Sequence, residues 1–573
     1  MLAAAVLCAA CGGGSNNSGN DRQTPDRAPK RGGTLTVLWT NDVALIDCGA
    51  TYYQMDWFLC WSTQRPLYNY KPDDVNMVPD LATGPPEVSA DAKTVTVKLR
   101  TGVKFSPPVN RAITSADVKY AIERGFFRTV NTGYAPVYFG DVEGAKPGVK
   151  PGTKIAGIEA PDPQTLVFHL SKPTGGVLAA GALALPLTAP VPEDYAAPFD
   201  AKEPSAYGQH QVATGPYMIE NDAKGNAVGY KPQRDVHLVR NPSWDASTDF
   251  KPAYLDEIEN VMGNGDTAVA SRQILGGRSM ATGDFSPPPD MLKQAMTQNK
   301  SQLITTPSTG GRWISMNTTI KPFDNINVRK AVLAGFDREQ LRLTRGGAPA
   351  GTIATHFLSP TIAGFDEAGG DKGPGYDFVD ASGKPNKPLS AEYFKKAGYP
   401  SGKYTGGGKL LMVGANTGVA ARAAEITKQQ FEDMGFKVTL RLVPIDTAYV
   451  RYCNVPKMEV AVCPNVGLNA DFSDGQTLLD PSFNGDSIVP VNNTNWPQLN
   501  DPQNNQAMAK AKELGKPAER AQAWARIDRM VTAQAPAIPW LWDNTPVLVS
   551  KDVHGAVSKA NGGILDLNFT WIG

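Results

Sequence analysis

Strand patterns and amphipathic helix patterns alternate along most of this 573-residue chain. The strand patterns have a period of two, as in Leu35, Val37 and Trp39, and they are clearest in residues 33–39, 94–99 and 165–170. Chains that alternate in this way build layers of helix on sheet rather than a sandwich or a helical bundle. Because a typical domain has roughly 150 residues, we predict an α/β protein of more than one lobe.

The helix patterns include one clear start signal. Thr114 is followed three residues later by Asp117, a capping-box arrangement that predicts a helix beginning there. Further helices are predicted over residues 327–341, 419–434 and 517–533, each with apolar residues along one face. The charged residues at 337–339 are interpreted as a surface network.

The composition and the missing motifs exclude several classes of protein. Lys and Arg number 56, as do Asp and Glu, so the chain lacks the basic excess of a general nucleic-acid binder. Its five histidines are scattered, and no run approaches 18 apolar residues. Phosphate-loop, zinc-protease and nucleophile-elbow motifs are absent, and residues 263–268 are interpreted as an ordinary strand-to-helix turn. We predict no metal, no cofactor and no catalysis.

The first residues predict export. Residues 1–11 are an apolar run of small residues that ends at Cys11 and resembles a bacterial lipobox. In this interpretation residues 1–11 contain the signal peptide, Cys11 carries the lipid, and residues 12–30 form a flexible tether. The alternative is an apolar N-terminal segment that is not processed.

Four further cysteines fall into two local pairs. Cys48 and Cys60 are 12 residues apart, and Cys453 and Cys463 are 10 apart, spacings that suit two short disulfide-closed loops. A zinc site would need closer pairs, commonly with histidine. Free buried thiols remain the alternative. Disulfides would agree with an exported protein.

A series of short segments follows one another in a fixed order along the chain. These segments are 31–37, 78–82, 98–105, 113–120, 214–217, 240–242, 322–331, 397–400 and 535–539. In them the chain is similar to the bacterial extracellular solute-binding proteins of family 5, the oligopeptide- and dipeptide-binding proteins of ABC importers. No segment decides this alone, and the resemblance extends over nearly all of residues 31–573.

The resemblance implies a two-lobed fold of the Venus-flytrap type, which closes on a ligand by hinge motion. It assigns residues 31–65, 205–305 and 516–573 to a discontinuous lobe one, 66–204 to an extra small domain, and 306–515 to lobe two. It also implies a monomer in the cell envelope, lipid-anchored at the outer face of the cytoplasmic membrane or periplasmic. Such a protein delivers its ligand to membrane permease subunits, whose partner ATPase supplies the energy.

The same resemblance points to residues 466–474 as part of the ligand site. In peptide-binding members an aspartate of this loop pairs with the α-ammonium of the peptide, and Asp471 matches that position. Phe472 stands where the family has tyrosine, and Asn469 is a further candidate contact. Leu468 replaces the usual tryptophan, so Asn469 and Asp471 could equally bind sugar hydroxyls. The structural alternative for Asp471 is a local turn cap.

Other candidates are aromatic and polar residues that could line a cleft and stack on peptide groups or sugars. Core packing is the alternative for the aromatic residues near the first strand, and a surface-loop anchor for Trp496. These candidates are Trp39, Asn41, Tyr52, Tyr53 and Trp496.

We therefore predict the peptide-binding component of an ABC importer. The first alternative keeps the fold and changes the ligand to an oligosaccharide or another small solute. The others are a secreted enzyme with two sequence-distant carboxylates and an envelope signalling or chaperone module.

Overall fold

The computed structural model describes residues 28–51, 56–72, 74–130, 132–416, 418–490, 493–558 and 565–573. The predicted signal peptide, Cys11, most of the tether, Tyr52 and Tyr53 lie outside these residues. Within them the chain forms two six-stranded sheets and one four-stranded sheet, with helices packed between and around them. The predicted α/β class is confirmed.

Sheet one contains the first strand, whose alternating residues Leu35 and Val37 are buried as the period of two predicts. This strand pairs in parallel with its two neighbours, and the next pairs are antiparallel. The short strand Tyr230–Lys231 also pairs antiparallel with Asp235–Arg240. In order across the sheet, the strands are Met280–Thr282, Thr34–Leu38, Glu257–Val261, Asp235–Arg240 and Tyr217–Ile219, with Tyr230–Lys231 beside Asp235–Arg240.

The four-stranded sheet lies within the region 66–204 and is antiparallel throughout. Its strands are Glu87–Val88, Thr94–Lys98, Thr165–His169 and Ile158–Asp162. Its buried residues join those of sheet one in a single apolar cluster, so these two parts pack as one body.

Sheet two has two unusually long strands, Leu303–Met316 and Ala537–Leu548, which pair with each other. Their pairing is irregular between Pro307 and Gly311, and at its far end Val549 bridges to Ala281 of sheet one. These two strands, which we call the crossing strands, therefore connect the two large sheets. In order across the sheet, the strands are Gly351–Thr352, Ala537–Leu548, Leu303–Met316, Val462–Asn469, Lys409–Ala415 and Lys437–Val443.

The described residues also form three two-stranded ladders and sixteen α-helices. The ladders are Tyr68–Tyr70 with Met77–Pro79, Val553–His554 with Trp571–Ile572, and Val557–Ser558 with Leu565–Asp566. The helices are Trp57–Thr63, Ser115–Arg124, Tyr134–Tyr138, Gly175–Ala180, Glu193–Asp200, Thr267–Gly276, Pro289–Gln298, Ile326–Gly335, Arg338–Thr344, Phe365–Ala368, Lys387–Lys396, Gly418–Asp433, Ile445–Thr447, Gln476–Phe483, Pro502–Lys512 and Pro517–Ala533. None of these helices has both the length and the apolar character needed to cross a bilayer.

The start signal at Thr114 is confirmed, because the helix Ser115–Arg124 carries the full capping box with Asp117. The helices predicted near 419–434 and 517–533 are also present. The single helix predicted over 327–341 is wrong, since the structure breaks it at Phe336 and Asp337 caps a second helix.

Residues 337–339 do not form the predicted surface network. Arg338 is buried, and its guanidinium donates to the carbonyl oxygens of Ala354, Pro539 and Asp380. Burying an arginine is tolerated here because carbonyl oxygens accept from its N–H groups. Arg338 therefore connects the helix Arg338–Thr344 to segments that are distant in sequence, as far as Pro539.

The domain boundaries remain a proposal, and the boundary at residue 516 does not coincide with the division between the two large sheets. The resemblance assigns residues 516–573 to lobe one, but helix Pro517–Ala533 and strand Ala537–Leu548 pack with sheet two. Residues after 548 return to sheet one, where Val549 and Val553 join its core. The long pairing between the crossing strands explains why the change of body falls near residue 548.

A buried charge cluster fixes the small domain to sheet one. Asp80 accepts from Arg65 Nε at 2.7 Å and from Lys251 Nζ at 3.0 Å, and Asp249 lies 3.4–3.5 Å from the same two cations. The Asn69 side-chain amide donates to the second Asp80 oxygen at 3.0 Å. All four charged side chains are almost fully buried.

Both predicted disulfides are present, joining Cys48 to Cys60 and Cys453 to Cys463. Closing a loop of this size should stabilise the fold by about 3 kcal/mol, mainly by restricting the unfolded chain.

We expect Cys453→Ser with Cys463→Ser to lower the free energy of unfolding by about that amount, measured by urea denaturation. Dithiothreitol should lower the stability of the wild type but not that of a variant in which all four disulfide-forming cysteines are replaced by serine. Equal sensitivity to dithiothreitol in both proteins would contradict this prediction.

Candidate functional site

The loop 470–474 follows the strand Val462–Asn469 and lies where the body of sheet two meets the small domain. Two hydroxyl hydrogen bonds anchor it: Thr309 donates to the Ala470 carbonyl at 3.1 Å, and the loop's own Ser473 side chain donates to the Thr361 carbonyl at 2.8 Å. A side chain on such an anchored loop is held in one place, as a binding group needs to be.

Asp471 points from this loop to a pair of tyrosines in the helix Tyr134–Tyr138. Both hydroxyls donate to its carboxylate, that of Tyr134 at 3.5 Å and that of Tyr138 at closer range. Within the described part of the chain, no cationic side chain forms an ion pair with Asp471. Among the described residues, the polar partners of this carboxylate are thus tyrosine hydroxyls rather than cations.

Aromatic rings surround this carboxylate. Tyr134 and Tyr138 stack with their centroids 6.2 Å apart, Trp57 lies 6.1 Å from Tyr134, and Phe472 meets Tyr138 edge-on at 5.0 Å. Burial raises the pKa of the Asp471 carboxyl to about 6, although the hydrogen bonds from the two tyrosines act to lower it. A carboxylate among aromatic faces suits a ligand cation such as an ammonium group.

The second aspartate of the loop has a different role. Asp474 is buried and forms a two-pronged pair with Arg520, with distances of 2.8 and 3.0 Å. It also accepts from the backbone N–H of Gln476 at the start of the next helix. Asp474 therefore stabilises the fold, and of the two only Asp471 is left for a ligand.

Phe472 and Asn469 lie on either side of Asp471 in very different surroundings. Phe472 is fully buried, and its ring lies so close to Gly181 that a Cβ at that glycine would collide with it. A Cβ at Gly176 in the same region would likewise collide, there with the backbone of Leu514. Asn469 is exposed, and its side chain lies across the backbone of Gly310 on the neighbouring strand.

Of the candidates near the first strand, Trp39 lies inside the core of sheet one. It is 4% exposed, packs against Phe58 with ring centroids 4.1 Å apart, and donates its indole N–H to Asn260 at 3.0 Å. Asn41 is exposed, and its backbone and side-chain amides both donate to Asp284. A ligand-binding role for either residue stays a prediction.

Trp496 lies in a turn that packs beside the second disulfide. It meets Tyr449 edge-on at 4.9 Å and donates its indole N–H to Asn454 at 2.6 Å. Together with Tyr449 and the bond Cys453–Cys463 it lines a small surface pocket. Its contact with a ligand stays a prediction.

Sequence reasoning missed Tyr134 and Tyr138. Their spacing of four residues places both rings on one helix face, which is a readable signal. Nothing local connects them to Asp471, however, because 333 residues separate Tyr138 from it.

Comparison with known proteins identifies the family. Residues 76–490, more than two thirds of the chain, match the model described as bacterial extracellular solute-binding proteins, family 5 middle. The chain belongs to this family. It is thus a family 5 solute-binding protein, as its sequence segments predicted.

Several relatives of this family 5 protein have known names or structures. It is 27% identical over 474 residues to the glutathione-binding protein GsiB of Escherichia coli O6:K15:H31 (strain 536 / UPEC), covering 82% of this chain and 81% of that one. The structure of clavulanic acid biosynthesis oligopeptide binding protein 2 is 25% identical, with a TM-score of 0.80 over 95% and 96% of the two chains. DppA of Helicobacter pylori, solved in complex with the peptide STSA, is 19% identical, with a TM-score of 0.68 over 95% and 98%, and supports the fold alone.

Proposed function

We propose that this protein is the binding component of an ABC importer and that it captures short peptides through their free α-ammonium group. The observation that carries this proposal is Asp471, whose carboxylate has no cationic partner among the described residues and is enclosed by aromatic rings at the junction of two bodies. A peptide ammonium would supply the missing positive charge. Such pairs are favourable where geometry and further hydrogen bonds are good, and the two tyrosine hydroxyls add them.

The crossing strands support capture by closure. They connect sheet two to sheet one, and their pairing is interrupted between Pro307 and Gly311. An irregularity in an otherwise continuous ladder is a point where two bodies can rotate with little loss of hydrogen bonding. Asp471 belongs to one body and its tyrosine partners to the other, so rotation would open and close this site.

The names of relatives agree with a peptide ligand. One relative is called a glutathione-binding protein and another an oligopeptide binding protein, and DppA of Helicobacter pylori was solved with a peptide. We extend this to the present chain as a proposal, because the tryptophan that usually precedes the aspartate is Leu468 here.

We further propose that the protein works outside the cytoplasmic membrane, held by a lipid on Cys11, as a monomer that catalyses nothing. Two disulfides support an oxidising compartment. The described residues contain no group of three or more His, Cys, Asp or Glu placed to bind a metal ion. Mass spectrometry of the protein made in a bacterial host would detect the lipid, and a Cys11→Ala variant should lack it.

A thermal-shift screen tests the ligand class. The purified protein is heated with di- to pentapeptides, with glutathione and with oligosaccharides. A ligand at 100 times its dissociation constant adds about 2.7 kcal/mol to stability, which raises the melting temperature measurably. We expect stabilisation by peptides with a free amino terminus and none by their N-acetylated forms. Stabilisation by sugars alone would replace the peptide proposal with an oligosaccharide.

Peptide affinity should depend on pH through Asp471. Its pKa of about 6 means that the carboxylate is mostly ionised at pH 7.5 and mostly protonated at pH 5, while a peptide amine with a pKa near 8 stays charged. We expect the affinity for free-amine peptides to fall as the pH drops through 6, by up to about tenfold per unit below it, in calorimetric titrations. Because this pKa is raised on folding, the unliganded protein should change in the opposite sense and gain stability over the same fall in pH. An affinity that is constant from pH 7.5 to 5 would contradict the assignment.

A further inference from the structure

A histidine and an aspartate form a fully buried pair in the body of sheet two. His356 Nδ1 lies 2.6 Å from the Asp528 carboxylate, and both side chains are 0% exposed. The other ring nitrogen, Nε2, lies 3.2 Å from the carbonyl oxygen of Gly370. A neutral imidazole has one N–H and can donate to only one of these acceptors, whereas the doubly protonated ring donates to both. The surroundings of His356 therefore suit a positively charged ring that pairs with Asp528.

Aromatic rings separate this pair from solvent. The centroid of the His356 ring lies 5.1 Å from that of Phe365 and 5.0 Å from that of Trp542 on the crossing strand Ala537–Leu548. A pair enclosed in this way cannot contact a ligand. Any effect that it has on binding must therefore pass through the chain segments that it holds.

Asp528 also holds the residues that follow His356. Its carboxylate accepts from the backbone N–H groups of Phe357 at 3.0 Å and Leu358 at 3.1 Å, in addition to the imidazole. Three successive residues are thus attached to one side chain of the helix Pro517–Ala533. Hydrogen bonds to an ionised acceptor are among the stronger ones in proteins. We call residues 356–361 the clamped segment.

The far end of the clamped segment meets the candidate site. The Thr361 hydroxyl donates to the Ser308 carbonyl of the crossing strand at 3.0 Å, and the Thr361 carbonyl accepts from the Ser473 hydroxyl at 2.8 Å. Ser473 is two residues after Asp471, and Thr309 holds the residue before Asp471. Asp471 therefore lies between two attachments, one to the crossing strand and one to the clamped segment.

Apolar packing makes the clamped segment rigid between its two ends. The Phe357 ring lies 4.4 Å from that of Phe483, in the helix that follows the Asp471 loop, and 5.8 Å from that of Trp313. Leu358 packs so closely against Gly475 that a Cβ there would stand 3.2 Å from its side chain. A displacement at Asp528 would therefore be transmitted to the loop, because a close-packed segment moves as a unit.

We propose that His356 and Asp528 are positioning residues for the ligand site. Through the clamped segment and the bond between Thr361 and Ser473, they hold Asp471 where the ammonium group of the ligand meets it. This inference rests on the proposed peptide-binding function and adds two residues that touch no ligand. A binding group has to be held within about 0.5 Å of its productive position, and supporting hydrogen bonds of this kind do so.

The test measures how strongly each variant prefers a free amino terminus. Calorimetric titration, by displacement where binding is weak, gives the dissociation constants of trialanine and N-acetyl-trialanine, and their ratio is the selectivity. Ser473→Ala removes the bond to Thr361, and His356→Phe keeps a ring but removes both of its hydrogen bonds. The double variant completes the cycle. His356→Asn is the conservative variant, because its amide N–H can stand in place of Nδ1 and donate to Asp528.

Two further variants are controls for ordinary loss of stability. Ser390→Ala removes a buried hydroxyl that donates to the Ala331 carbonyl at 2.8 Å, the same kind and length of bond as that of Ser473, elsewhere in the body of sheet two. Phe394→Leu leaves a cavity in an apolar cluster of the same body that does not include the clamped segment. Both should keep the selectivity of the wild type, although Phe394→Leu should lower the melting temperature.

We expect Ser473→Ala to lower the selectivity about 2- to 10-fold, the effect of one hydrogen bond. His356→Phe should lower it by about tenfold or more, and His356→Asn should retain most of it. The double variant should be no worse than His356→Phe alone, because both substitutions interrupt the same connection and their effects are then not additive.

The possible failures are distinguishable. An unchanged selectivity in Ser473→Ala would overturn the inference, and this result is decisive even if His356→Phe does not fold. Additive effects in the double variant, or an equal loss in Phe394→Leu, would also overturn it. In each of these cases a wild type that prefers the free amine leaves the peptide function standing. A wild type that binds both forms equally removes the proposed function, and the inference with it.

Discussion

Asp471→Asn is expected to abolish the preference for peptides with a free amino terminus. Asparagine keeps the size of the side chain but removes the charge, so a bound ammonium would be left buried without a partner. Truncating one partner of a buried charged pair costs about 2–5 kcal/mol, which weakens binding by roughly 30-fold to several thousand-fold. Calorimetric titration with free and N-acetylated forms of the same peptide measures this directly.

The control for Asp471→Asn is Asp486→Asn, which removes an exposed carboxylate from the same lobe. It should bind both peptide forms like the wild type. The unliganded Asp471→Asn protein should be at least as stable as the wild type at pH 7.5, because the substitution removes a half-buried charge that no cation of the described residues pairs with. Unchanged affinity of Asp471→Asn for free-amine peptides would show that the ammonium binds elsewhere.

Asp80→Asn is expected to be the most destabilising of the substitutions considered. It would leave Arg65 and Lys251 buried with Asp249 alone, whose oxygens are 3.4–3.5 Å away. Removing one member of a buried charge cluster typically costs about 3–5 kcal/mol. Burial alone would raise the pKa of Asp80, but Lys251 and Arg65 hold it well below its usual range. The Asp80 carboxylate should therefore contribute to the free energy of unfolding at neutral pH and lose this contribution only under strongly acid conditions.

Urea denaturation followed by tryptophan fluorescence and circular dichroism measures the effect of Asp80→Asn. Asp235→Asn is the matched control, because its pair with Lys231 is partly exposed to solvent and should contribute less than about 1 kcal/mol. Comparable losses in the two variants would mean that the buried cluster stabilises no more than a surface pair does.

Local signals predicted the parts of this fold whose cause is local. Thr114 and Asp117 are three residues apart, and the helix begins where they indicate. The helix break at Asp337 was also readable, since aspartate is a common N-cap, but the continuing apolar period obscured it. The crossing strand Leu303–Met316 gave no alternating pattern, because Pro307, Gly310 and Gly311 interrupt it.

What the sequence did not predict depends on contacts between distant residues. The burial of Arg338 is determined by carbonyl groups as far away as Pro539, and the surroundings of Asp471 by tyrosines more than 300 residues earlier. The family resemblance supplied Asp471 as a candidate, but no local pattern connected it to those tyrosines.

Gly176 and Gly181 have a consequence for mutational tolerance. Their backbones touch Leu514 and Phe472 of the opposing body so closely that any side chain would separate the two surfaces. In a saturation scan selected for peptide uptake, both positions should therefore accept glycine alone, although neither contributes a charge or a hydrogen bond to the proposed site. The positions most sensitive to substitution would then include two whose contribution is the absence of a side chain.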